Sequence, residues 1–169
     1  IAPVACNRTY NTTTMQLVSA GEAVNGTMYY ACTAKGEAAP GYDSYGTSVP
    51  ARSSAGEYTV YYQARGAGGN RAVGSGDVTI AKADISPAVS MAGWTYGGTA
   101  STPSVSGNPE NGTVTYAYKV STADDNTYTT AKPSNAGSYT VKASIAATGN
   151  YNAGEATKDF IIEKAKWET

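Results

Sequence analysis

Ser54-Ala55-Gly56-Glu57-Tyr58-Thr59-Val60 and Asn135-Ala136-Gly137-Ser138-Tyr139-Thr140-Val141 are one phrase written twice. The repetition extends outward in both directions. Asn25-Gly26-Thr27-Met28-Tyr29-Tyr30-Ala31 recurs as Asn111-Gly112-Thr113-Val114-Thr115-Tyr116-Ala117, and Val78-Thr79-Ile80-Ala81-Lys82-Ala83 recurs as Phe160-Ile161-Ile162-Glu163-Lys164-Ala165. Self-similarity at a fixed period is the signature of stacked or tandem modules. It divides the chain into a first copy over 1–83 and a second over 84–165. Lys166-Trp167-Glu168-Thr169 follows Lys164-Ala165 as Asp84-Ile85 follows Lys82-Ala83, which predicts the opening of a further copy at 166–169. The joint Lys82-Ala83-Asp84-Ile85-Ser86-Pro87 has no Gly or Ser run, so a stiff connection without a linker is expected.

Alternation within each copy predicts strands. Tyr58, Val60 and Tyr62 form an apolar phase against Thr59 and Gln63. Tyr139, Val141, Ala143 and Ile145 do the same against Thr140, Lys142 and Ser144. Val114, Tyr116, Tyr118 and Val120 make a further dry stripe with Lys119 outward, and Met28, Tyr30 and Cys32 hold the same phase in the first copy. A small, Tyr-rich core is expected in each. Asn25-Gly26 and Asn111-Gly112 are strong turn signals. Six or seven short strands per copy, with no convincing helix, predict an all-β chain of two small immunoglobulin-like sandwiches. A β-grasp-like module is the alternative. It requires a helix, and the only candidate, Val18-Ser19-Ala20-Gly21-Glu22-Ala23-Val24, carries a central glycine.

Composition agrees with a β-rich extracellular module: 19 Gly and 14 Tyr against one Phe, and 15% charged residues in 169. The formal net charge is -1, and the basic residues form no run, which offers nothing for nucleic acid or an anionic membrane. No stretch approaches the length needed to span a bilayer, and Ile1 does not open a signal peptide, so a mature fragment of a secreted or surface-attached protein, monomeric and extracellular, is expected. Cys6 and Cys32 both fall in the first copy, where the second has Ala92 and Tyr118. A disulfide private to the first copy, contributing roughly 3 kcal/mol, and two buried thiols both fit.

The wording of the repeat carries a resemblance. Tyr10-Asn11, Gln16-Leu17-Val18, Ala20-Gly21, Ala55-Gly56-Glu57-Tyr58-Thr59-Val60-Tyr61-Tyr62 and Ile80-Ala81-Lys82-Ala83 resemble the MBG-type repeats of bacterial cell-surface proteins. Tyr96-Gly97, Pro133-Ser134-Asn135-Ala136-Gly137-Ser138-Tyr139, Gly149-Asn150-Tyr151-Asn152 and Phe160-Ile161-Ile162 look like the same family. The resemblance implies adhesin or spacer modules of large secreted or wall-anchored proteins, with no catalytic or ligand residues to carry over. The first copy departs from the pattern in its cysteines and in the longer loop Lys35-Gly36-Glu37-Ala38-Ala39-Pro40-Gly41, where any function peculiar to this protein is expected.

The chain has no histidine, which removes Ser/His/Asp and Cys/His machinery and most zinc sites. Glu22, Asp43, Glu57, Asp84, Glu110, Asp124 and Asp125 are dispersed, so no pair of acids in a cleft and no catalysis is expected. Asp124-Asp125-Asn126 lacks the spacing of a calcium loop and is expected to be a polar tip. An internal isopeptide crosslink is disfavoured by the outward phase of Lys119 and Lys142. No cofactor is implied. The expected role is a non-catalytic structural spacer whose partners are neighbouring repeats. The alternative is a carbohydrate-binding module that takes host glycan or polysaccharide, or a protein partner, on exposed Trp94, Tyr96, Tyr128 and Tyr151.

Overall fold

The computed structural model describes residues 1–167. The chain divides into two compact units, Ile1–Ala83 and Asp84–Thr169. Both are all-β, and among the described residues the only helical elements are 3₁₀ turns at Tyr42–Ser44, Pro109–Asn111 and Asp125–Thr127. The segment Val18–Val24 is not helical; Val18 instead bridges Ala5. Of the expected further copy, Lys166 and Trp167 lie in no strand, and Glu168 and Thr169 lie outside the described residues.

The first unit has six strands: β1 (Arg8–Thr9), β2 (Met15–Gln16), β3 (Gly26–Ala34), β4 (Ala51–Arg52), β5 (Gly56–Gly66) and β6 (Arg71–Ala81). Its main sheet runs β1-β6-β5-β3, with β2 and β4 forming a separate pair. The second unit repeats the four-stranded sheet but not the small pair, with β7 (Ala88–Ser90), β8 (Trp94–Thr95), β9 (Ser104–Ser106), β10 (Val114–Val120), β11 (Gly137–Ile145) and β12 (Gly154–Glu163). Its sheet runs β10-β11-β12-β8, beside the pair β7 and β9. Long-strand neighbours are antiparallel. The short first strand of each sheet is parallel to the last: Arg8 faces Ile80, and Trp94 faces Ile162. The next residue extends both ladders identically, Tyr10 N–H donating to the Ala81 carbonyl and Tyr96 N–H to that of Glu163, each at 2.8 Å.

Each unit owns its core. Met15, Leu17 and Val18 pack on Tyr30, Val60, Val78 and Ile80 in the first. Val89 and Met91 pack on Tyr118, Val141, Ala143, Phe160 and Ile162 in the second. The most deeply buried side chains are aliphatic: Leu17, Ile80, Ile162, Val60, Val78 and Val141. The expected Tyr-rich centre is therefore corrected. Tyr10, Tyr58 and Tyr62 in the first unit and Tyr116 and Tyr139 in the second form the rim of the cores, because a phenol must keep its hydroxyl near an acceptor or water. Tyr30 meets this need inside, its oxygen accepting from Gly21 N–H at 2.8 Å.

The phrase that opened the sequence reading has a local cause. Gly56 and Gly137 stand under the rings of Tyr58 and Tyr139, where a Cβ would come within 3.1 and 3.3 Å of ring atoms. The missing side chain lets each ring fold back, and the hydroxyl donates to the carbonyl four residues upstream: Tyr58 to Ser54 at 2.9 Å and Tyr139 to Asn135 at 3.0 Å. Removing either hydroxyl (Tyr58→Phe or Tyr139→Phe) is expected to cost about 1 kcal/mol in the unit that carries it. Chemical denaturation measures it; a loss in one copy without a matching loss in the other counts against a shared scaffold.

The outer phase of the central strands departs from expectation. Thr59 and Thr140 are buried, and so is Gln63 at 5% exposure. Long neighbours shade this face of the sheet. Thr59 Oγ1 donates to Asp77 Oδ1 at 2.8 Å, and Thr140 Oγ1 to Asp159 Oδ1 at 2.6 Å. Lys119 also sits on this face, yet its side chain is only 11% exposed. Val120, expected in the dry stripe, is exposed because it ends its strand.

Candidate functional site

The four rings proposed as a sugar platform serve different local roles. Trp94 is stacked on Phe160 with centroids 5.5 Å apart and belongs to the rim of the second core. Tyr96 is half exposed and lines a recess with Asn135, Ala136 and Trp167. Tyr128 lies between two lysines, with Lys142 Nζ 4.7 Å and Lys119 Nζ 5.3 Å from its ring centre. Tyr151 sits in the 148–151 turn, its carbonyl accepting from Thr148 N–H at 3.0 Å. Register and phase do not reveal such roles, because one amphipathic ring suits both a core rim and a binding face.

Cys6 and Cys32 are separate thiols with separate surroundings. Cys6 Sγ approaches the Val4 carbonyl, and Cys32 Sγ that of Thr33. Burial pushes the Cys32 thiol above its ordinary value, partly countered by the Arg52 guanidinium. A raised value means less thiolate at neutral pH and slower alkylation.

The Asp124-Asp125-Asn126 tip forms a 3₁₀ turn whose Asp125 carboxylate is taken by Lys119, 2.7 Å away. This bond holds Asp125 below the usual carboxylate range and lifts Lys119 above the usual amine range. Lys119 Nζ also donates to the Ala123 carbonyl at 2.7 Å. Among the described residues no group of three or more potential metal ligands converges.

Polar and aromatic groups do converge in the first unit, beside the loop peculiar to that copy. A groove of about 460 Å³ is lined by Tyr42, Tyr45, Tyr61, Gln63, Arg71 and Val73, among others. Tyr61, Arg65 and Arg71 order its wall and surroundings. Tyr61 OH donates to the Glu37 carbonyl at 3.0 Å, which ties the long loop to β5. The Arg65 guanidinium lies between the rings of Tyr42 and Tyr29, at 3.7 and 4.1 Å from their centres. Its Nη2 donates to the Tyr42 carbonyl at 2.6 Å, and its Nε to Gln63 Oε1 at 3.0 Å. Arg71 reaches the same Tyr42 ring at 5.5 Å. Stacking on an aromatic face fixes a guanidinium while leaving donors free at its edge. The groove lies beside the loop 35–41 that is longer in the first copy. Strand alternation gave Gln63 only an outward phase and gave Tyr61 and Arg65 no role, because their convergence depends on which strands and loop lie side by side.

No protein-family model matches the chain, and no curated protein matches it.

Proposed function

We propose that this chain is a non-catalytic structural repeat of an extracellular bacterial surface protein, an adhesin-like spacer similar to the MBG-type repeats. Each unit is taken as a shortened immunoglobulin-like sandwich. Two features support that finer assignment: the short strand, β1 or β8, that lies parallel with the last strand of its unit, and the tyrosine at the head of β5 and β11 that bonds its own upstream backbone.

The observation that carries the spacer role is the parallel pairing of a short early strand, β1 or β8, with the last strand of its unit. Strands that run the same way take the chain in at one pole and out at the opposite pole. Every copy then adds its length to the polypeptide's reach. Tension applied through the ends loads these ladders along the strand direction, where several hydrogen bonds must break together, and neighbouring repeats are the natural partners.

Pulling the whole chain by its ends in a single-molecule instrument tests this. Two separate force peaks are expected, each releasing roughly 25–28 nm at about 3.4 Å per residue. Extension without force-bearing peaks, or a single event of doubled length, overturns the reading.

A further inference from the structure

The two units share a backbone, so positions equivalent in register but different in chemistry isolate what one copy does alone. Thr59 faces Asp77 as Thr140 faces Asp159, which makes Tyr61, Gln63, Arg65 and Val73 the counterparts of Lys142, Ser144, Ala146 and Glu155. In the second unit Lys142, Ser144 and Glu155 form a polar network. Ser144 Oγ donates to Glu155 Oε1 at 2.8 Å, and Lys142 Nζ lies 3.6 Å from the same oxygen. In the first unit the same place is the groove bounded by Tyr42, Tyr45 and Tyr61.

That groove holds unspent hydrogen-bonding capacity. Gln63 is 5% exposed and lines it. Its Oε1 is occupied by Arg65, whereas its Nε2 donates to no protein acceptor among the described residues. Neither Arg65 nor Arg71 forms an ion pair among the described residues, whereas Lys35, Lys119 and Lys142 do. A buried amide and the Arg71 guanidinium, exposed, without an anion and 5.5 Å from the Tyr42 ring, are the polar groups that converge on this phenol-walled groove, whose volume falls within the usual range of small-ligand sites.

We infer that the groove binds a carboxylated sugar residue, a uronic or sialic acid of an extracellular glycan. The tyrosine rings cover the C–H face of a pyranose. The free edge of Arg71 matches a carboxylate with two parallel N–H donors. The Gln63 amide donates to a ring or hydroxyl oxygen. An acidic peptide is the competing ligand, because β1 pairs with β6 only at Ile80 and Ala81 and leaves the outer edge of β6 open beside the groove; the sugar is favoured because a pyranose offers the tyrosine rings a flat C–H face and a peptide of acidic residues does not. This activity goes beyond the spacer role and belongs to the first copy alone.

The isotopically labelled full chain is to be titrated by NMR with sialyllactose, trigalacturonate, lactose and tetraglutamate. Saturable shifts at the Gln63 side-chain amide and at Tyr61 and Arg71 are expected with one or both acidic sugars, and the responding sugar identifies the source. Arg71→Ala, at an exposed strand end, is expected to weaken binding by about tenfold or more, and Lys142→Ala in the second unit to leave it unchanged. Any one of four results overturns the proposal: no saturable shift at sugar concentrations on the order of 10 mM, lactose or tetraglutamate binding as well as the acidic sugars, undiminished binding in Arg71→Ala, or equal loss in Lys142→Ala.

Discussion

Phe160→Ala is expected to destabilise the second unit by about 3–5 kcal/mol, which is enough to unfold most small modules. Phe160 is the only phenylalanine in the chain, and its buried ring meets three others. Trp94 stacks at 5.5 Å, Tyr139 at 5.8 Å and 28° between planes, and Tyr118 approaches edge-on at 6.3 Å and 82°. Truncation removes the transfer free energy of the ring and leaves a void that its neighbours cannot close. Trp94 is held by strand pairing opposite Ile162, and Tyr139 by its hydroxyl on the Asn135 carbonyl. Two probes separate the units. Both tryptophans lie in the second, and Trp167 is 96% exposed, so a change in buried indole emission reports Trp94 alone. Both cysteines lie in the first, so alkylation of Cys32 reports that unit. Urea denaturation should show the loss in emission with Cys32 protection unaltered. A loss below about 1 kcal/mol, or joint loss of both signals, contradicts separate cores.

Gly26→Ala and Gly112→Ala are expected to cost about 1–3 kcal/mol each through overpacking. A Cβ on Gly26 would stand 2.5 Å from the Arg65 carbonyl oxygen, and one on Gly112 2.5 Å from that of Ala146. Both obstacles are backbone atoms fixed in the facing segment, so relief requires the strand entry itself to move. The preceding Asn25 and Asn111 take the left-handed conformation, with φ of 55° and 52°, which asparagine accepts more readily than most residues. The same two probes read the result, Cys32 alkylation for Gly26 and Trp94 emission for Gly112. Near-neutral outcomes at both sites would show that close approach is not what the Asn-Gly pair provides.

That pair illustrates what the sequence disclosed and what it did not. Asn-Gly signalled a change of direction, and one occurs, but the glycine's role involves a carbonyl roughly forty residues away in the first unit, which no local rule contains. The strand phases of Val60 and Val141 were legible because period-two alternation depends only on neighbours in the chain. The burial of Thr59, Gln63 and Thr140 was not, since it depends on which strands lie alongside and on the long side chains that shade them. The groove lay hidden for the same reason. Tyr42, Tyr61 and Arg71 come from three separate segments, and only β5, β6 and the extra loop together make them neighbours. The cue available from letters alone was disagreement between aligned copies, Tyr61 against Lys142 and Gln63 against Ser144.

The bond from each tyrosine hydroxyl to a carbonyl four residues earlier has a consequence for how such copies can diverge. Its acceptor is main chain, so it demands a phenol, a bare Cα two positions before it and a fixed interval, and nothing of the amino acids between. Ser54 has become Asn135 and Glu57 has become Ser138 without disturbing it. Selection can therefore rewrite the surface of one copy, charge included, while the anchor that orients an interior strand of its sheet is inherited unchanged.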